Sequence, residues 1–156
     1  MPQAISALPL QHDREAAVDP RIRAMVDNVL IGSPVARALG VRLASLAADH
    51  VELEMPFLPT NVTHGSIVHG GVIATLIDIA GAAAAASGAS ADEVKGGATS
   101  SLSIQYLAPA QGAALRAVAM VVRRGRRQVV TDVSVYAEAP DEDVLVAKAL
   151  LSSAML

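Results

Sequence analysis

The sequence predicts an α+β fold in which one antiparallel sheet curls around a single central helix, with a second helix ahead of it. Three observations carry this expectation. The stretch His69 to Ser87, HGGVIATLIDIAGAAAAAS, is long enough for a helix and apolar around nearly its whole circumference, so it must be buried on every side. Segments before and after it alternate apolar and polar side chains with the two-residue period of strands wetted on one face. A chain of 156 residues, 53% hydrophobic, suffices for one core but not for two unrelated domains.

The elements follow in order. Residues 1–18 show no sustained period and read as a loosely ordered N-terminal segment; residues 19–156 read as a single domain. Asp19-Pro20 sets a capping carboxylate before a proline at the first helical position, and Ile22, Met25, Val26, Val29 and Leu30 follow at helical spacing. Ser33-Pro34 repeats the start signal for a short helix to Leu39, which Gly40 ends. From Val41 the period changes, and Val51, Leu53 and Met55 alternate with Glu52 and Glu54 in a strand that Pro56 and Pro59 close. A loop from Phe57 to Val68 leads into the buried helix. Beyond it, Leu102, Ile104 and Tyr106 open a run of four strands that includes 113–124, 126–138 and 144–154, expected as an antiparallel meander.

Composition removes several functions. A net charge of −3 lacks the dense basic face that nucleic-acid binding needs, and three aromatic residues, Phe57, Tyr106 and Tyr136, offer no stacking platform. The absence of cysteine excludes disulfides, thiolate metal sites and cysteine nucleophiles. His12, His50, His64 and His69 have no metal-ligand spacing, so no metal and no cofactor are expected. No phosphate loop, dinucleotide fingerprint or G-x-S-x-G elbow occurs. The first residues lack the basic start and apolar block of an export signal, which makes a cytoplasmic location the expectation. Val68 to Ala86 could span a bilayer by length, but His69 and Asp78 interrupt it and strand patterns follow, so a core helix is expected and no membrane partner.

The stretch NVTHGSIVHGGVIATLID (Asn61 to Asp78), followed by SIQYLAPA (Ser103 to Ala110), resembles the hotdog-fold acyl-CoA thioesterases of the phenylacetate-pathway (PaaI-like) type. The likeness runs from about residue 40 to 155 and rests on the combination of HGG, an Asp nine residues after that His, and a later YLxPA. It implies a hotdog fold, hydrolysis of an acyl-CoA thioester to acid and free coenzyme A, and dimers that often pair into tetramers. The residues it implies are Asp78 as the catalytic carboxylate, the Gly70 N–H polarising the thioester carbonyl with His69 beside it, Asn61 assisting, and Thr99 as the orienting hydroxyl. The gap between Asn61 and His69 is longer than in the family, so His64 or Ser66 could fill that place instead.

The residues also speak without the family. A carboxylate in the middle of an apolar helix cannot cap a terminus, and an unpaired buried charge costs several kcal/mol. Asp78 is therefore either a reactive group in a dry cleft or the partner of a buried Arg or of backbone donors. Gly70 and Gly71 open the helix with free N–H groups and the positive dipole end, which suits a developing oxyanion, although HGG could also be only a tight junction. His69 could equally be a hydrogen-bonded structural residue.

Nine residues separate His69 from Asp78, about 900° of rotation and about 13 Å of rise, so the two face opposite ways. A two-fold dimer would join the helix start of one chain to the carboxylate of the other. Ala74, Thr75, Gly81 and Ala82 leave room beside Asp78, or simply pack against the sheet. Arg123, Arg124, Arg126 and Arg127 crowd one hairpin and either hold coenzyme A phosphates or are merely solvated. A non-catalytic acyl-CoA-binding or sensing protein on the same fold is the alternative function, and a hotdog dehydratase lacks its loop context here.

Overall fold

Asp19 and Pro20 start a helix as the capping pattern predicts. In the computed structural model, which describes residues 17–156, the Asp19 carboxylate accepts the Arg21 N–H at 2.9 Å and α1 (Pro20–Met25) follows. Most of the N-terminal segment expected to be loosely ordered thus lies outside the described residues. The coil then widens into a π-helical stretch, Val26–Ile31. Because a π turn takes more residues than an α turn, positions after Val26 rotate off the expected face. Val26 is fully buried, whereas Val29, assigned by periodicity to the same face, is 59% exposed. Ser33 caps α2 (Pro34–Ala38) through the Ala36 N–H, and Gly40 turns the chain at φ +70°.

The single strand expected from Val41 is a hairpin, β1 (Arg42–Ala47) and β2 (His50–Met55), reversed at Asp49 with φ +62°. β2 alternates buried and half-exposed residues, as its sequence announces. β1 does not, because it is an edge strand with a register shift between Leu43 and Ser45, and that irregularity hides it from a period-based reading. The loop before the central helix contains a 3₁₀ turn, Pro59–Asn61, and a small ribbon of β3 (Val62–His64) and β4 (Ile67–Val68).

α3 (Gly70–Ser87) is the expected buried helix, with His69 as its N-cap. It lies on a six-stranded antiparallel sheet completed by β5 (Gly97–Tyr106), β6 (Leu115–Arg124), β7 (Gln128–Ala137) and β8 (Val144–Met155). Strand order is β1-β2-β6-β7-β8-β5. By length and composition α3 could cross a membrane, but its apolar surface is taken up by the sheet: Leu76, Ile77, Ala80, Ala83 and Ala84 are fully buried. Leu76 and Ile77 each contribute about 1.5–3 kcal/mol by leaving water.

The expected four-strand meander is only three strands long. β6, β7 and β8 are consecutive neighbours, but β5 pairs with β8 rather than with β6. The link between β5 and β6 is too long for a tight hairpin and is tied to the ribbon before α3 instead, through Val68 N–H to Ala110 O and Gly112 N–H to Ser66 O. The chain therefore crosses the end of the sheet near the start of α3, leaving β5 as a free edge.

Gly81 faces β8, and a Cβ there would lie 2.8 Å from Leu151 Cδ1, a side chain that is itself fully buried. Gly81→Val should therefore destabilise the protein by about 1–3 kcal/mol through overpacking, read from the urea midpoint. An unchanged midpoint would show that Leu151 has room to move.

Candidate active site

Asp78 stands mid-helix on α3, half-buried, with a single hydrogen-bond partner among the described residues: the Thr99 hydroxyl donates to Asp78 Oδ1 at 2.6 Å. That is the length of a charge-assisted O–H···O⁻ bond. No arginine or lysine pairs with Asp78 among the described residues, which removes the ion-pair explanation for a carboxylate at this place. Asp78 Oδ2 carries no hydrogen bond among the described residues, so one oxygen is anchored and the other is available.

The pair lines a cleft of about 530 Å³ between α1, α3 and the start of β5. Ala82, Ala85 and Ala86 form its α3 wall, and Ile22, Met25 and Leu30 face them from the N-terminal helix. Of the small neighbours of Asp78 on its helix face, Ala82 lines the cleft, Gly81 packs on β8, and Ala74 and Thr75 do not border it. A larger and more open groove of about 690 Å³ at the C-terminal end of α3, near Ser87 and Gly88 and sharing Arg21 with the cleft, contains neither Asp78 nor Thr99.

At the helix start, His69 Nδ1 accepts the Gly71 N–H at 2.8 Å, and the His69 carbonyl takes the Val72 and Ile73 N–H groups. This fixes the imidazole as a cap, with its proton on Nε2. The Gly70 N–H, by contrast, has no acceptor among the described residues and sits at the positive end of an 18-residue helix. Tyr106, expected as a strand residue and as part of YLxPA but not as a site residue, donates its hydroxyl to Gly70 O at 2.8 Å and lays its ring against the glycine. Being one of three aromatic residues was the available signal.

Asn61 lies beside this helix start. Its carbonyl accepts the His69 N–H at 2.8 Å, and its side chain is buried with Nδ2 unpartnered. The extra residues between Asn61 and His69 are absorbed by the β3–β4 ribbon, where Val62 faces Val68. His64 is exposed in that ribbon, and the Ser66 carbonyl accepts the Gly112 N–H at 2.8 Å.

The arginines divide. Arg124 donates to Asp49 at 3.0 and 2.5 Å and reaches Ala84 O, clamping the end of α3 to the β1–β2 turn. Arg124 is thus engaged in packing, whereas the sequence offered phosphate binding or plain solvation for all four arginines. Arg123, Arg126 and Arg127 are exposed at the β6–β7 turn.

The thioesterase superfamily pattern matches residues 65–144. The chain belongs to the thioesterase superfamily. A Halobacterium salinarum protein named for a proposed esterase activity is 37% identical over 108 residues, 67% of this chain and 71% of its own. A thioesterase family protein of Silicibacter pomeroyi has the same fold, with a TM-score of 0.81 and 27% identity over 86% of this chain and 98% of that one. The Escherichia coli PaaI protein of the phenylacetic acid degradation operon shares the hotdog fold at a TM-score of 0.77, with 21% identity over 90% and 96% of the two chains. A thioesterase-named protein of Streptococcus pneumoniae, solved with coenzyme A, does so at 0.65, with 22% identity over 74% and 85%.

One wall of the cleft is held by charge. Arg21 binds Asp19 at 3.1 Å and Asp92 at 2.8 Å, tying α1 to the link before β5. Hydrogen bonds from the guanidinium hold both carboxyls below their ordinary value of 3.8. A carboxyl depressed on folding favours the folded tether above that value and loses the benefit as pH falls through its folded midpoint. NMR titration of Asp19 and Asp92 should give midpoints below 3.8, and Arg21→Gln should raise both; midpoints indifferent to Arg21 would refute the tether.

Proposed function

We propose that this thioesterase hydrolyses acyl-coenzyme A thioesters at a site shared between two protomers. Asp78 carries the reading: a mid-helix carboxylate with one oxygen held by Thr99 and the other open, on the wall of an apolar cleft. Membership of the superfamily supports thioester hydrolysis, and the coenzyme A bound by the Streptococcus pneumoniae relative supports the carrier.

The Gly70 N–H hydrogen-bonds the thioester carbonyl oxygen and stabilises the negative charge that grows there. Asp78 Oδ2 removes a proton from attacking water, or attacks the carbonyl itself, and Thr99 keeps the carboxylate aimed. The tetrahedral intermediate then collapses and the C–S bond breaks: on the water route Asp78 passes the proton it took to the departing sulfur, and on the covalent route water hydrolyses the acyl anhydride left on Asp78 and supplies the proton that the thiolate takes up. Asn61 steadies the carbonyl end, and His69 contributes by fixing the turn that presents the Gly70 N–H.

Gly70 and Asp78 are about 12 Å apart along one helix axis, too far to serve one carbonyl together. The free edge of β5 offers a two-fold partner a place to continue the sheet, and an antiparallel pairing there would run the two α3 helices side by side. Each site then takes Gly70 from one protomer and Asp78 from the other. The exposed Arg123, Arg126 and Arg127 hold the phosphates outside the cleft.

Release of free thiol from purified protein and acyl-CoA tests the activity, because a sensor would bind without releasing thiol. Asp78→Asn should fold and lose at least about a hundredfold in kcat, and Thr99→Val about tenfold. Full turnover by Asp78→Asn would end the assignment. Gly70→Pro removes the N–H at a helix position that welcomes proline, with His69 already extended at ψ 133°, and its added Cβ would meet the Tyr106 ring at 3.4 Å, an ordinary to tight contact. Mixed dimers of Asp78→Asn with Gly70→Pro should regain one working site; if both catalytic groups come from the same protomer, the mixture stays inactive.

Changing Arg123, Arg126 and Arg127 together to Gln should raise KM for acyl-CoA several-fold at constant kcat. KM for the corresponding acyl-pantetheine, which lacks the nucleotide phosphates, should not move. Equal effects on both esters would remove the arginines from the site.

A further inference from the structure

Ser153 is a polar group on the cleft wall that water activation does not require. It lies on β8 directly opposite Thr99, and both residues line the cleft together with Asp78. Ser153 is 3% exposed, and its Oγ is buried without a hydrogen-bond partner. Buried hydroxyls are nearly always paired, because water is lost and nothing replaces it. Thr131 Oγ1 is also unpartnered, but Thr131 does not line the cleft, so among the described residues only Ser153 combines an unpartnered buried hydroxyl with a place on the cleft wall.

Accepting the thioester hydrolysis proposed above, we infer that the substrate acyl chain carries an oxygen, as hydroxyl or oxo, on its second or third carbon, and that Ser153 hydrogen-bonds it. Opposite residues of an antiparallel pair hold their Cβ atoms about 5 Å apart. A thioester carbon beside Asp78 and Thr99 therefore places its next two carbons over Ser153, under α3. Further along, the chain meets alanines and the apolar side chains of α1, which suit a hydrocarbon tail. A plain alkyl chain would cover the Ser153 hydroxyl and leave it unpaired. An oxygen at that depth supplies the missing partner once the covered Ser153 side chain turns about its Cα–Cβ bond toward the cleft, since a serine hydroxyl both donates and accepts.

The test compares kcat/KM for butanoyl-CoA with 2-hydroxybutanoyl-, 3-hydroxybutanoyl- and 3-oxobutanoyl-CoA, in the wild type and in Ser153→Ala. At least one oxygenated ester should exceed the plain one by about tenfold in the wild type, the size of one neutral hydrogen bond, and Ser153→Ala should bring that ratio close to one. The melting temperature of the ligand-free variant should hold or rise, because an unpaired buried hydroxyl has been removed. A wild-type ratio near one, a ratio that survives Ser153→Ala, or a melting temperature lowered by several degrees would each overturn the inference while leaving the hydrolase intact. Absence of thiol release from every ester would instead overturn the hydrolase reading, and this inference with it.

Discussion

The burial of one helix governs this protein. α3 is so apolar that it is stable only where a sheet covers most of its circumference, and β2, β5, β6, β7 and β8 provide that cover. Alanine and glycine on the helix let the strands approach closely, and the contact between Gly81 and Leu151 marks how little space remains. At its C-terminal end the helix is pinned by Arg124 and Asp49, with the Ser87 hydroxyl accepting the Asp49 N–H. At its N-terminal end it is pinned by His69, Asn61 and Tyr106.

Against that background the polar groups on and around the helix are informative because each is out of place. Asp78 has a single hydroxyl partner where a structural carboxylate would be fully bonded, and the Gly70 N–H, Asn61 Nδ2 and Ser153 Oγ have none. All four lie at the helix start or on the cleft wall, where an ester with its carbonyl and acyl chain could satisfy them. Incomplete hydrogen bonding is costly to a fold and useful to a binding site, and here it is concentrated around α3.

The legible parts of the fold were those whose pattern is carried by neighbouring residues. The Asp19-Pro20 and Ser33-Pro34 starts, the limits of α3, the β2 alternation and the Gly125 reversal all depend on local caps, periods and turns. The β1 strand escaped because an edge with a bulge keeps no clean period, and the π-helical turn escaped because its spacing imitates an α-helix for its first residues. Of the site, Asp78 stood out as a charge with no local reason to be there, and Thr99 was reached through a motif likeness. Ser153 gave no signal, since a serine on a strand is ordinary until its neighbours are known.

By itself the sequence determined that a single helix must be enclosed and that a charge must be accommodated halfway along it, because hydrophobic periodicity and charge are properties of the chain. The tertiary structure alone decided that β5 lies beside β8, that Asn61 returns to the helix start over its ribbon, and that Arg124 is bound to Asp49 while its neighbours stay exposed. Those outcomes depend on contacts between residues far apart in the chain, such as Arg124 and Asp49 or Thr99 and Asp78. No local pattern encodes them, because only the packed sheet brings such partners within hydrogen-bonding distance.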